Sequence, residues 1–251
     1  MTCLSSQVSA SPPYDLHPEV KNLPDESRSQ LKWSTFIGRD VENTQGDGLG
    51  KVTDLALDMR NGRIAAVIVT ESGFLGMGPK RSVGVPPGAF TNFRQGREDG
   101  TLFLDASKQK FAAAPELEMS HWAEYFQRDH LAKVVRYFGV EPYFGGTGMS
   151  LGPVETTRQI LGLEVRDGPV SMGKVVAIRV DSKSERVMLV LVVDNSGAYS
   201  KCEITASQVQ LNAARNALSF TLANDAGSSF RRPGRGSASL PPSTVSEISV
   251  P

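Results

Sequence analysis

Several groups of residues have types and spacings that chemistry would need. Gly148-Met149-Ser150-Leu151-Gly152 has the G-x-S-x-G spacing of a nucleophile elbow, in which a sharp strand-to-helix turn exposes the serine. Here no strand pattern precedes it, and Pro153 follows at once in a glycine-rich run. The order found in such hydrolases also needs a histidine after the serine, whereas His17, His121 and His130 all precede Ser150. His121 and His130 are nine residues apart, which at ~100° per residue puts them on opposite faces of a helix, so they cannot share a metal. His121 and Glu124 would offer two ligands on one face, but no cysteine or further histidine is near in sequence to complete a site. The run Gly73-Phe74-Leu75-Gly76-Met77-Gly78-Pro79-Lys80-Arg81 is rich in glycine and ends in two cations. A phosphate cradle normally feeds a helix N-terminus, and this loop instead leads into an extended run at Val83. Its expected role is structural, with glycines supplying positive φ and Phe74 and Leu75 capping a barrel. The alternative is a recognition loop presenting Phe74, Leu75, Met77, Lys80 and Arg81. These patterns give no catalytic, cofactor-binding or metal-ligating residues, and the expectation is a non-enzymatic protein without a cofactor.

The elements that would position these residues are short strands. Val52 to Leu57 alternates, Ile64 to Val69 is a dense β-branched and alanine run, and Val83 to Val85 is closed by Pro86-Pro87. Asn61-Gly62 between the first two is a strong hairpin signal. Thr101 to Asp105 alternates and closes the set. The wording recurs: Ile160 to Val165 echoes Phe36 to Val41, Met172 to Val175 echoes Leu49 to Val52, and Val187 to Val193 echoes Ile64 to Thr70. Asn195-Ser196-Gly197 likewise echoes Glu71-Ser72-Gly73, and one small deletion aligns the copies. A repeat of this kind implies two copies of one fold unit.

At Ile37-Gly38-x-x-Val41, Gly50-Lys51-Val52-x-Asp54, the strand 64–69, the glycine-rich loop and Val85-Pro86, the chain resembles the PRC-barrel family. This family is named for the cytoplasmic part of the photosynthetic reaction centre H subunit, and it includes the C-terminal domain of a ribosome-maturation factor. The resemblance covers residues 33–107 and, more weakly, 156–223. It implies a small six-stranded barrel with a role in binding or assembly, and no shared catalytic site. The expected fold is therefore mainly β: two small PRC-type antiparallel β-barrels joined by a helical segment. The expected layout is a flexible arm over 1–31, a first barrel over 32–106, a helical segment over 107–140, a glycine-rich linker over 141–155, a second barrel over 156–223 and a disordered tail over 224–251.

Within the helical segment, Ser107 is an N-cap for a short helix that stops before Pro115. From Ser120 to Phe138, apolar residues recur at three- and four-residue steps, predicting one amphipathic helix with an aromatic-heavy face. Trp122, Tyr125 and Phe126 on that face are expected to pack on a barrel, with partner binding as the alternative. Trp33 is expected as a core or rim anchor. The 27 basic and 27 acidic residues balance, which gives no strong nucleic-acid signal. Two cysteines, Cys3 and Cys202, make no disulfide framework, and Cys202 reads as a small buried side chain. Arg231, Arg232 and Arg235 lie in the tail and read as solvated. No apolar run approaches the ~20 residues needed to span a bilayer. The N-terminus lacks the basic and apolar regions of a signal peptide, so a cytoplasmic protein is expected, or an exported one if a longer N-terminus carries a signal. The partner expected is another protein, with a homo-oligomer left open. A small-ligand binder using the cleft between barrels and a ribosome-associated accessory factor are the alternative functions.

Overall fold

The computed structural model describes residues 30–71, 81–93, 100–145, 149–181, 183–195 and 198–220. The first half contains β1 (Gln30–Lys32), β2 (Asp40–Asn43), β3 (Gly48–Asp58), β4 (Arg63–Thr70), β5 (Ser82–Val85) and β6 (Leu102–Leu104). Then follow α1 (Lys108–Ala112), α2 (Trp122–Tyr125) and α3 (Arg128–Tyr137). The second half contains β7 (Val154–Thr156), α4 (Thr157–Ile160), β8 (Glu164–Asp167), β9 (Val170–Asp181), β10 (Arg186–Asn195), β11 (Ala198–Thr205), β12 (Val209–Leu211) and β13 (Ala217–Phe220). No helix among the described residues is long and apolar enough to cross a membrane.

The two halves repeat one strand order. In the first, β6 lies parallel to β2, and β2, β3, β4 and β5 follow antiparallel. In the second, β13 lies parallel to β8, and β8, β9, β10 and β11 follow antiparallel. Hydrogen bonds repeat as well. The N–H of Gly38 donates to Val52 O at 2.8 Å, and that of Gly162 to Val175 O at 2.8 Å. The repeat is not aligned by one deletion, as the sequence suggests. The offset is 124 at Gly38 and Gly162, 123 at Gly50 and Gly173, and 122 at Val67 and Leu189, which pair with the matching residues Leu55 and Ile178. The second step has a clear cause: β4 bulges at Ala65, where Ala56 pairs with Ala66 and Leu57 with Ile64, and β10 has no counterpart of that residue.

In place of two separate barrels, the described strands form one continuous hydrogen-bonded sheet. The halves exchange strands. β1, which leads into the first half, pairs with β9 of the second, Gln30 opposite Asp181 and Lys32 opposite Arg179. β7, which leads into the second half, pairs with β3 of the first, Val154 opposite Asp58 and Thr156 opposite Ala56. The expected arm over 1–31 therefore ends in a paired strand from Gln30 onward; residues 1–29 lie outside the described residues. Midway between the exchanged strands, Arg63 of β4 pairs with Arg186 of β10. Ile64 N donates to Glu185 O at 3.2 Å, and Val187 N donates to Gly62 O at 2.9 Å. Gly62 and Glu185 occupy the matching turn position, and both have φ of 58°. Gly62 adopts this left-handed backbone without strain, whereas Glu185 must be held in it by its surroundings.

The core runs through both halves, with Phe36, Leu55, Ile64, Leu131, Ile160 and Leu189 fully buried. Each such side chain contributes about 1.5–3 kcal/mol through burial. The aromatic segment departs from expectation. The single helix over Ser120 to Phe138 is broken into α2 and α3, with Gln127 extended between them at ψ 141°. The break lets Tyr125 and Phe126 reach the curved sheet while Leu131, Val134 and Val135 face the core one turn later. Residues 141–155, expected as a glycine-rich linker, are instead a packed strap where they are described, with Pro142 and Phe144 buried and Val154 and Glu155 already in β7. The side chain of Trp33 and the tail over 224–251 lie outside what is described.

Because each half completes the sheet of the other, a chain carrying a protease site inserted at 146–148 and cut there should stay one particle. Size-exclusion chromatography under native conditions checks this, and separate elution of the two pieces would refute the exchange as a stabilising feature.

Candidate functional site

The most heavily hydrogen-bonded side chain is Asp58, at the end of β3 and fully buried. Its Oδ1 accepts from the N–H groups of Arg60 (3.1 Å), Asn61 (3.1 Å) and Gly152 (3.2 Å). Its Oδ2 accepts from Asn61 Nδ2 (2.6 Å) and Tyr143 OH (2.7 Å). One carboxylate thus ties the β3–β4 turn to the strap. Burial, and next the negative Asp58, push the Tyr143 hydroxyl far above its ordinary value, so it stays a donor. The turn of the second half repeats the first part of this pattern. Asp181 accepts from Lys183 N at 3.0 Å and Ser184 Oγ at 2.8 Å. Burial works upward on Asp181, but these hydrogen bonds outweigh it and hold the carboxyl below the usual range.

Beside Asp58, Arg63 Nη2 lies 3.3 Å from Glu185 Oε2, and the Arg63 guanidinium sits 5.0 Å from the Tyr143 ring centre. These residues line a cleft of about 180 Å³ between the halves, with Pro86, Gly88 and Val140 on its other wall. Small-molecule sites usually exceed ~300 Å³, and this cleft is smaller. A second cleft of about 270 Å³ lies beside β2 and α1, lined by Asp40, Glu42, Glu71 and Lys108.

The elbow serine sits on the strap. Ser150 Oγ receives Arg60 Nη1 at 2.8 Å and its carbonyl receives Asn61 Nδ2 at 2.9 Å. Gly152 is fixed by crowding, since a Cβ there would stand 2.2 Å from Arg60 Cβ. Ser150 and Gly152 of the G-x-S-x-G spacing thus serve the strap's close approach to the β3–β4 turn, and Gly148 lies outside the described residues. His121 Nδ1 meets Glu118 Oε2 at 2.9 Å on the surface, and the His130 ring lies 5.1 Å from that of Tyr125. No group of three or more His, Cys, Asp or Glu among the described residues is placed to hold a metal ion.

Of the sequence-predicted interaction residues, Phe74, Leu75, Met77 and Lys80 lie outside the described residues. Arg81 is described and turned inward. It donates to Phe111 O at 3.2 Å and to Ala114 O, and pairs with Glu71 at 3.1 Å. Glu71 N donates to Arg81 O at 2.8 Å, and the hydroxyls of Thr53, Thr70 and Ser82 form a ladder with 2.9 Å steps next to it. The base of the β4–β5 loop is therefore tightly fixed. Trp122, Tyr125 and Phe126 pack internally, as the favoured sequence reading has it. Trp122 Nε1 donates to Val154 O of β7 at 2.8 Å, and Tyr125 and Phe126 are buried. Tyr125 OH accepts from Gly84 N at 3.1 Å, and burial pushes its hydroxyl up to about 12. A Cβ on Gly84 would meet Tyr125 at 3.0 Å and Ala66 Cβ at 3.4 Å, so the small residues make the seat.

Sequence reading missed the buried carboxylates. Asp54 of β3 accepts from Thr157 N at 3.2 Å and from Thr157 Oγ1, at the start of α4, with Arg158 at 3.4 Å. Burial raises its carboxyl above the ordinary value. Glu155 of β7 pairs with Arg215, and burial, offset in part by that arginine, raises it too. For Asp54 the signal available was an acidic residue inside a strand pattern, whereas Glu155 fell in the expected glycine-rich linker and gave none.

With this geometry in hand, the comparisons agree with part of the chain. Residues 29–108 match the PRC-barrel domain family. No curated protein matches the chain.

Asp58→Ala strips the partner from several buried donors, each costing ~1–3 kcal/mol when left unsatisfied. The expected loss is about 3 kcal/mol or more in urea unfolding, with Asp58→Asn milder. Glu155 gives a pH test. Its folded value lies above 4.5, so its contribution is fully present below that pH and is lost as pH rises through the folded value. Melting temperature should therefore gain from Glu155 as pH is lowered from 7 toward 4.5, and Glu155→Gln should lack that gain while Asp54's share remains.

Proposed function

We propose that the chain is a non-enzymatic protein-binding or assembly module, built from two copies of a PRC-type strand unit, over about 32–106 and 156–223, that share one sheet. The family match over the first of these supports an interaction-type domain. The second copy is supported by the repeated strand order, the registers and the matched turn at Gly62 and Glu185.

The observation that carries the binding reading is an asymmetry between the halves. In the first, the outer sheet face at Ala66, Ile68 and Gly84 is already occupied by the chain's own Tyr125. In the second, the matching face carries Met188, Val190 and Val192 on β10, with Glu203 on β11 opposite Val190 in the place of Gly84. Met188 and Val192 are half-buried, Val190 between them is covered, and Glu203 is exposed and pairs with Arg179 at 3.3 Å, so Met188 and Val192 are the apolar groups the face offers. An apolar strip with a charged rim has the make-up of a protein contact surface. The glycine-rich run 73–81, which the sequence offers as a recognition loop, is the second contact element of this reading.

Immobilised full-length protein tests this. A partner protein retained by the native chain should be released at least roughly ten-fold more readily by Met188→Glu or by Phe74→Asp, with melting temperature as the control for folding. Met119→Glu, at an exposed site on the helical segment, should change nothing. Equal retention by all three variants would remove both surfaces from the reading.

A further inference from the structure

The two halves treat one sheet edge differently. In the first half, the outward side of β5 is sealed. Tyr125 OH accepts from Gly84 N and donates to Gly84 O at 3.4 Å, and Leu117 N donates to Ser82 O at 2.7 Å. In the second half the matching strand is β11, eight residues long against four. The direction of its backbone groups follows from β10. Val187 N points away from β9, to Gly62 O, so Leu189 and Leu191 also turn their backbone groups away from β9, toward β11. Ile204, opposite Leu189, and Cys202, opposite Leu191, face back to β10. Lys201 and Glu203 therefore point their N–H and C=O outward. Thr205 does too, and its N–H is taken by Gln208 Oε1 at 2.9 Å. Among the described residues nothing accepts from Glu203 N, and Glu203 O has only a 4.0 Å contact from Cys202 Sγ. Among the described residues the edge is thus open at Glu203, and an open strand edge is a template for another strand.

We propose that the β11 edge binds the β11 edge of a second copy of this chain, antiparallel about a two-fold axis at Cys202. The sequence of the strand is self-complementary in that register. Lys201 stands opposite Glu203 of the second copy, and Glu203 opposite Lys201, so the two outward residues exchange hydrogen bonds and carry opposite charges. Cys202 meets its own counterpart in a non-hydrogen-bonded pair, the closest approach in such a ladder. A two-fold pairing uses the same patch on both copies and closes without growing into a fibre. The proposal is independent of the function proposed above.

Full-length Cys3→Ser protein tests it, because Cys202 is then the single thiol. Analytical ultracentrifugation should show a concentration-dependent dimer. Copper–phenanthroline should join Cys202 to Cys202 between chains, the two thiols releasing two protons and passing two electrons to the oxidant. Lys201→Glu or Glu203→Lys alone should weaken the dimer on the order of ten-fold, and the two together should restore it. A monomer at all concentrations would overturn the proposal, whether residues 221–251 or a different protein's strand cover the edge. A dimer that yields no Cys202 cross-link would overturn it equally. Should a charge variant fail to fold, the cross-link in Cys3→Ser still decides.

Discussion

Everything in this molecule depends on backbone pairing across an approximate two-fold axis. A small sheet with an open edge cannot satisfy its own N–H and C=O groups. Here each half lends its leading strand to the other, β1 to β9 and β7 to β3, and the hairpin turns meet between them at Arg63 and Arg186. The strand exchange itself is made of main-chain hydrogen bonds, which leave the side chains at matching positions room to diverge. They have done so: Gly62 faces Glu185, and Gly84 matches Glu203.

The divergence gives the halves separate tasks. The first carries the aromatic segment and the strap. Asp58, Tyr143 and Gly152 lock the strap onto the β3–β4 turn, and Trp122 reaches across to Val154 of the exchanged strand. Buried carboxylates at Asp54 and Glu155 add further ties, each at a desolvation cost that its hydrogen bonds only partly offset. The second half has Asp181 in place of Asp58 but, among the described residues, no strap over its turn, and a charged residue where the first half seats a tyrosine.

Much of the fold was legible because strands announce themselves by alternation and turns by glycine. Ile64 to Val69 and Val187 to Val193 fall inside β4 and β10, and Ser107 caps α1 as its type predicts. The exchange was not legible: Leu31 and Glu155 sit in stretches of three paired residues, too short for periodicity, and their partners lie about 150 and 100 residues away. The break at Gln127 was hidden for another reason. The 3.6-residue period continues through it, and only the backbone at Gln127 marks the break. The strap was misread because glycine signals a loop without saying whether the loop is free. Gly152 is there for crowding against Arg60, which no one-dimensional pattern records.

The exchanged strands also set an order of events during synthesis. When β3 leaves the ribosome, the residues that will pair with Ala56 to Asp58 are still about 98 positions upstream of being made, since Thr156 follows Asp58 by that distance. At ~5–20 residues per second the first sheet waits roughly 5–20 s for its missing strand. Until β7 is made, the edge of β3 from Ala56 to Asp58 has no strand to pair with on that side.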